Sequence, residues 1–455
     1  MESGTKTFLL SLFLFGAGVS GMAQTALDRY ITEGLAQNQV LKEKQGSLEK
    51  SLVALKEAKS YFLPSSSFET QYTLAGGGRA IEIPVGDLLN PVYSTLNQLT
   101  SSNNFPQIKN VSEQLAPDNF YDARIKTVMP LINPDIRINR DIKTKQTGLK
   151  ETEILIYKRE LIKEIKTAYY NYLMSGKAID IYANALVVVN QNLRLNQSLL
   201  ANGKGLPAYV SRAESEVKQV EAQWQNAKNE QANARAYFNF LLNRSLLDTI
   251  EVMDMTWSET FLDPLQSSIE GQSAKREELK SLDIARDINT DLLKMNKSYR
   301  VPRLNTFLDL GAQGFDFKVK DGSLFYIAGL QLQIPLFQGK RNLYKIQQQE
   351  IEIKNLALTT SNTQRQLELA AFVSRNNALN AYQNLLASRK QQESAQSYFK
   401  LIDRGYREGI NGFIELLDAR NQLTTSQVQT NILEFKLLSA LADLERQTAS
   451  YPINQ

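Results

Sequence analysis

Any chemistry in this chain has to proceed without imidazole or thiol groups, because its 455 residues include no His and no Cys. That excludes His acid–base catalysis, cysteine nucleophiles, Cys/His zinc centres and disulfides. Carboxylate, Lys, Tyr and Ser chemistry remains, and none of it forms a constellation beyond chance pairs. The reading is therefore a non-enzyme with no cofactor and no metal site. One acidic pair stands out: Glu415 and Asp418 lie three apart on one face of an expected helix. Such a pair repels anions and attracts cations, and where several copies meet at a narrow mouth its self-repulsion biases opening. The plain alternative is acids in a first helical turn, where the helix dipole favours negative charge.

The elements that must carry this pair are long. Two proline-free helical patterns run from about Ile138 to Asn202 and from about Lys340 to Asp403. At about 1.5 Å per residue each is a rod of roughly 95 Å, so each needs packing along its whole length. Each rod turns at a glycine-rich spot, Gly203-Lys204-Gly205-Leu206 and Gly405-Tyr406-Arg407-Glu408-Gly409-Ile410. Glycines in such turns also serve as ordinary helix C-caps. Shorter helices return, from about Pro207 to Asn243 and from about Phe413 to Thr448. The first shows a seam through Leu206, Val210, Ala213, Val217, Val220 and Trp224; the second places Asn421, Thr424 and Asn431 at the equivalent positions.

The hairpins belong to an internal repeat. Tyr61-Phe62-Leu63-Pro64 echoes Tyr299-Arg300-Val301-Pro302, Pro130-Leu131-Ile132 echoes Pro335-Leu336-Phe337, and Gly205 with Tyr209 echoes Gly409 with Phe413. Each half opens with a helix, about Ala26 to Ser60 or about Lys275 to Ser298, followed by a strand pair. In the last strand Tyr326, Ala328, Leu330, Leu332 and Ile334 share one face while Gly329, Gln331 and Gln333 share the other. This alternation suits a membrane barrel strand or a half-buried strand of a soluble sheet. The other strands are expected at about 66–74, 121–131 and 304–315, with Asp321-Gly322 as a hairpin turn. The first pair encloses an outer connection of about 75–120, holding Gly76-Gly77-Gly78 and an apolar patch from Val85 to Tyr93. It reads either as a variable surface loop or as a lid over a channel mouth.

The domain organisation follows: a signal peptide over 1–23, a first repeat over 24–244, a mixed equatorial linker over 245–274 with Trp257 and Pro264, a second repeat over 275–448 and a tail over 449–455. The signal rests on Lys6, the apolar run Phe8 to Phe15 and the small residues ending at Ala23. No later segment is expected to span a membrane as a helix. With 52 basic against 48 acidic residues the net charge is only +4, which gives no case for nucleic acid. Four strands cannot close a barrel in lipid, where every backbone group needs a partner, so several chains are required; three give about twelve strands.

Taken in order, these marks resemble the TolC family of outer-membrane efflux and secretion channels over essentially the whole mature chain. They include Asn38-Gln39-Val40-Leu41, Arg276-Glu277-Glu278-Leu279 and Pro335-Leu336-Phe337-Gln338-Gly339. The resemblance implies a mostly α, mixed α and β fold: helical hairpins forming an α-barrel tunnel, with four transmembrane strands per chain in a homotrimer. It also implies a passive conduit from periplasm to exterior in outer-membrane lipid, opened by a periplasmic adaptor and served by an inner-membrane pump of RND or ABC type. The turns Gly203, Gly205, Leu206, Gly405, Gly409 and Ile410 match the family's adaptor-docking entrance, and Glu415 and Asp418 its paired entrance carboxylates. Of the family's latch only Tyr406 is kept: Ser211 stands where the Asp belongs and Asn411 where the Arg belongs. The competing reading is a periplasmic coiled-coil scaffold that never enters the membrane, which the alternating strand pairs argue against.

Overall fold

The computed structural model describes residues 26–252, 265 and 276–453. The expected signal segment and most of the 245–274 linker, with Trp257 and Pro264, lie outside the described residues. Two compact units form, and each draws on both halves of the chain. One takes in described residues up to Leu48, from Leu149 to Asp283 and from Leu358 onward; the other takes Glu49–Gly148 and Ile284–Ala357.

The first unit is helical. Helix α1 spans Ala26–Gln37 and α2 spans Gln39–Ser60, where the sequence pattern predicts one helix. The interruption is Asn38. Its Oδ1 accepts the Leu41 N–H at 3.1 Å as an N-cap, and its Nδ2 donates to the Leu241 carbonyl at 3.1 Å, so the side chain is bound on both sides of the break. The long rods are α4, Pro134–Ala201, and α7, Arg341–Arg407; α5 covers Pro207–Leu241 and α8 covers Phe413–Thr448. Asn133 caps α4 by accepting the Asp135 N–H, with Pro134 at the first helical position. At 68 and 67 residues the rods measure about 100 Å each. One stretch of α4 meets the length and composition that crossing a bilayer requires. Its Ala185 and Val189, however, pack against Val217 and Val220 of α5.

The main core gathers Tyr30 and Ile31 of α1, Leu161, Ile165 and Tyr169 of α4, Phe238 of α5 and Phe435 and Leu438 of α8. A Cβ at Gly34 would strike Ile165, which fixes how closely α1 approaches α4. A second cluster zips α7 to α8 through Ala378, Ala381, Leu385, Leu437 and Leu441. The α5 seam is buried at Ala213, Val217, Val220, Ala227 and Phe238, while Leu206 is exposed. In α8 the expected seam is corrected. Asn431 is buried and donates to the Met174 carbonyl, but Asn421 is exposed, because Arg420 occupies the inward position beside it.

The second unit holds an antiparallel four-stranded sheet in the order β1-β4-β5-β6: Ser65–Thr73, Phe120–Ile132, Arg303–Phe315 and Leu324–Gln333. Its register sorts the side chains by charge. Phe68, Tyr72, Ile125, Leu308, Leu310, Tyr326 and Leu330 share a face that bears no charged residue. Every charged residue of the four strands, Glu69, Asp122, Arg124, Lys126, Arg303 and Asp309, falls on the other. There Arg124 pairs with Asp122 at 2.8 Å and Asp309 at 3.6 Å, and Lys126 with Glu69 at 3.8 Å. A bulge at Leu131 ends β4. All four helix-linked strand ends lie at one edge of the sheet, since α2, α4, α6 (Glu277–Lys297) and α7 join them there.

The outer connection is an ordered β-α-β substructure: β2 (Ala80–Ile83) pairs with β3 (Val111–Gln114), and α3 (Val85–Thr100) lies between them. Three side-chain amides clasp α3 to the return segment. Asn97 bonds both backbone groups of Phe105, Asn90 both of Ile108, and Asn110 the backbone and side chain of Asp87.

Candidate functional site at the hairpin turns

The α4–α5 turn closes mainly through backbone. Gly203, at φ 71°, donates to the Leu200 carbonyl at 3.0 Å and Lys204 to that of Leu199 at 2.8 Å, so left-handed glycine ends α4. A Cβ on Gly205 would sit 2.7 Å from the Leu200 nitrogen, and Pro207 starts α5. Leu206 projects with over half its surface exposed.

The α7–α8 turn adds side chains to the same device. Ile410 donates to the Gly405 carbonyl at 2.7 Å, and Gly409 adopts φ 79°. Gly405 is buried, and a Cβ there would run into Asn411. Asn411 Nδ2 donates to Glu415 Oε2 at 2.8 Å, and that oxygen also accepts the Gly412 N–H at 3.1 Å. Glu415, at the third helical position, thus closes a capping box on Gly412 at the start of α8, and these two donors hold its carboxyl below the usual range. Asp418 is exposed and forms no ion pair among the described residues. Ile410 and Ile414 are exposed beside it.

Two polar contacts tie one hairpin to the other near the turns. Tyr406 donates its hydroxyl to Asn196 Oδ1 of α4 at 3.0 Å, and burial pushes its phenol pKa up. Its ring lies near Phe413, which in turn packs on Tyr209 of α5 with centroids 5.3 Å apart. Deeper in, Arg420 of α8 meets Glu216 of α5 at 2.5 Å, both side chains about 95% buried, and Arg212 reaches the same carboxylate at 3.1 Å. Burial lowers the Arg420 pKa against the opposing pull of Glu216. Ser211 is exposed and takes part in neither tie; Asn411 bonds Glu415 within its own turn. Asn196, Glu216 and Arg420 escape a reading by spacing, because their partners lie about 204–210 positions away. The one available signal is that an Arg and a Glu occupy otherwise apolar helix faces.

With this geometry in place, comparison with known proteins is informative. Residues 272–450 match the family model described as outer membrane efflux protein. No curated protein sequence matches the chain. Among solved structures, the outer membrane protein VceC from Vibrio cholerae is similar with a TM-score of 0.71 at 14% identity, covering 93% of this chain and 95% of that one. The Campylobacter jejuni CmeC outer membrane channel gives 0.72 at 14% identity over 93% and 85%. The open-state MtrE outer membrane channel of Neisseria gonorrhoeae gives 0.72 at 13% identity over 93% and 88%. In fold the chain is similar to these outer-membrane proteins.

Proposed function

We propose that the chain is one copy of a trimeric outer-membrane efflux channel, a passive conduit without catalysis, whose periplasmic entrance lies at the two hairpin turns. The sorting of charge across the sheet carries this reading. One face suits hydrocarbon, the other suits a water-filled lumen, and two edge strands need partners from other copies. Native mass spectrometry of the detergent-extracted chain should give a trimer; a soluble monomer that washes off membranes in carbonate would support the scaffold reading instead.

Leu206, Ile410 and Ile414 expose apolar surface at the turns, which suits docking of a periplasmic adaptor that bridges to an inner-membrane pump. Glu415 and Asp418 supply negative charge at the same place, and the Tyr406–Asn196 bond stands in for a charged latch. Replacing Glu415 and Asp418 together with Ala should raise single-channel conductance and weaken block by divalent cations. Unchanged conductance removes these two residues from the entrance.

A further inference from the structure

At the helix-linked edge of the sheet, a cleft of about 170 Å³ is lined by Tyr299, Arg300, Leu336, Phe337, Lys340 and Arg341 among others. Its charge is one-sided. Arg300, Lys340 and Arg341 form no ion pair among the described residues, whereas nearby Lys297 pairs with Glu350 and Arg303 with Asp135. From Ile334 to Gln349 the chain carries Lys340, Arg341 and Lys345 and no acid. The Arg300 guanidinium sits 5.3 Å from the Tyr299 ring centroid, a cation–π placement.

The apolar surroundings are equally specific. Leu330 and Leu332 on the uncharged sheet face are exposed, and the exposure continues past the strand through Ile334 to Leu336 and Phe337, both more than 80% exposed. An apolar track therefore leads off the strand into three unneutralised cations. That is the arrangement of an acyl chain joined to a phosphate. Aromatic and basic residues at a membrane boundary recognise anionic headgroups in this way.

We propose that this cleft binds the headgroup of an anionic phospholipid from the periplasm-facing leaflet, with its acyl chains along Leu332, Ile334 and Leu336. The inference rests on the sheet being lipid-facing. Arg300, Lys340 and Arg341 hold the phosphate, and Tyr299 and Phe337 flank the glycerol region. The site belongs to each copy separately, so a trimer carries three.

The test is native mass spectrometry of the full-length channel in detergent, with phosphatidylglycerol, phosphatidylcholine or inorganic phosphate added in turn. Phosphatidylglycerol should be retained on the wild type and lost at least fivefold in R300Q/K340Q/R341Q. The control K109Q/K318Q/K320Q, which removes three charges elsewhere in the same unit, should retain it. Equal retention of phosphatidylcholine, or undiminished phosphatidylglycerol on the triple variant, overturns the site. Retention of phosphate without the lipid makes it a free-phosphate site and overturns the lipid assignment. The same spectra report oligomeric state: if the triple variant dissociates into monomers, the cations hold a contact between copies and the proposal falls. A wild type that never associates with membranes defeats the channel reading itself, which is distinct from a membrane-inserted channel that retains no lipid.

Discussion

The two hairpin turns do the same job by different means. Gly203 and Gly205 end the first with backbone bonds and a close approach to Leu200, whereas the second recruits Asn411 and Glu415 as side-chain clasps around Gly412. The first turn has no titrating group in its closure, and the second has one. The difference teaches that an internal repeat preserves shape while leaving chemistry free to diverge: Gly205 and Gly409 correspond, yet only the second turn is followed by a helix capped with charge. Behind both turns Arg420 and Glu216 lock the return helices together.

The largest expected effect tests that lock. Arg420→Ala leaves a buried carboxylate without its main partner and should destabilise the helical unit by about 3–5 kcal/mol in denaturant melts. R420M/E216L should recover most of that loss; a loss well under 1 kcal/mol would show that the pair does not hold the hairpins. Gly203→Ala, which forces an L residue into the left-handed region, should cost about 1–2 kcal/mol. Its measurable signature is faster proteolysis at the first turn while the second stays protected. Tyr406→Phe removes one half-buried hydrogen bond and should cost about 0.5–1.5 kcal/mol, with unchanged packing on Phe413.

The smallest effect distinguishes the turns by pH. Because the Glu415 carboxyl is held below its usual range, the cap it provides is fully present above the ordinary carboxylate pKa and is lost as pH falls through the lowered value. Hydrogen-exchange protection of the Gly412 amide should therefore fall in acid, and Glu415→Gln should flatten that dependence. The amides of Gly203 and Lys204 should show no such acid step. Equal pH profiles at the two turns would dissolve the contrast.

Much of the fold is legible in the sequence because its periods are long and uninterrupted. Proline-free runs with proline or glycine at their ends define α4, α5, α7 and α8, and strict alternation from Tyr326 to Leu332 defines β6. The break at Asn38 is not legible: the pattern continues through it, and only the Leu241 carbonyl, far away in sequence, gives the amide a reason to turn inward. Helix α3 is hidden by Pro91 and by a surrounding segment rich in turn residues; three asparagine clasps, not periodicity, hold it in place. At the turns, glycine spacing locates the site but not its bonding. Asn196 is one of several polar residues late in α4, and nothing in its own surroundings marks it as the acceptor for Tyr406.

The asparagine clasps have a consequence for how this molecule can change. β2, α3 and β3 satisfy one another, and β1 and β4 stay paired up to Thr73 and Phe120, where a short hairpin could equally join them. The stretch from β2 to β3 is therefore a detachable cassette: swapping or excising it should leave strand alignment intact. The surface it presents can thus be rewritten wholesale while the sheet keeps its sequence.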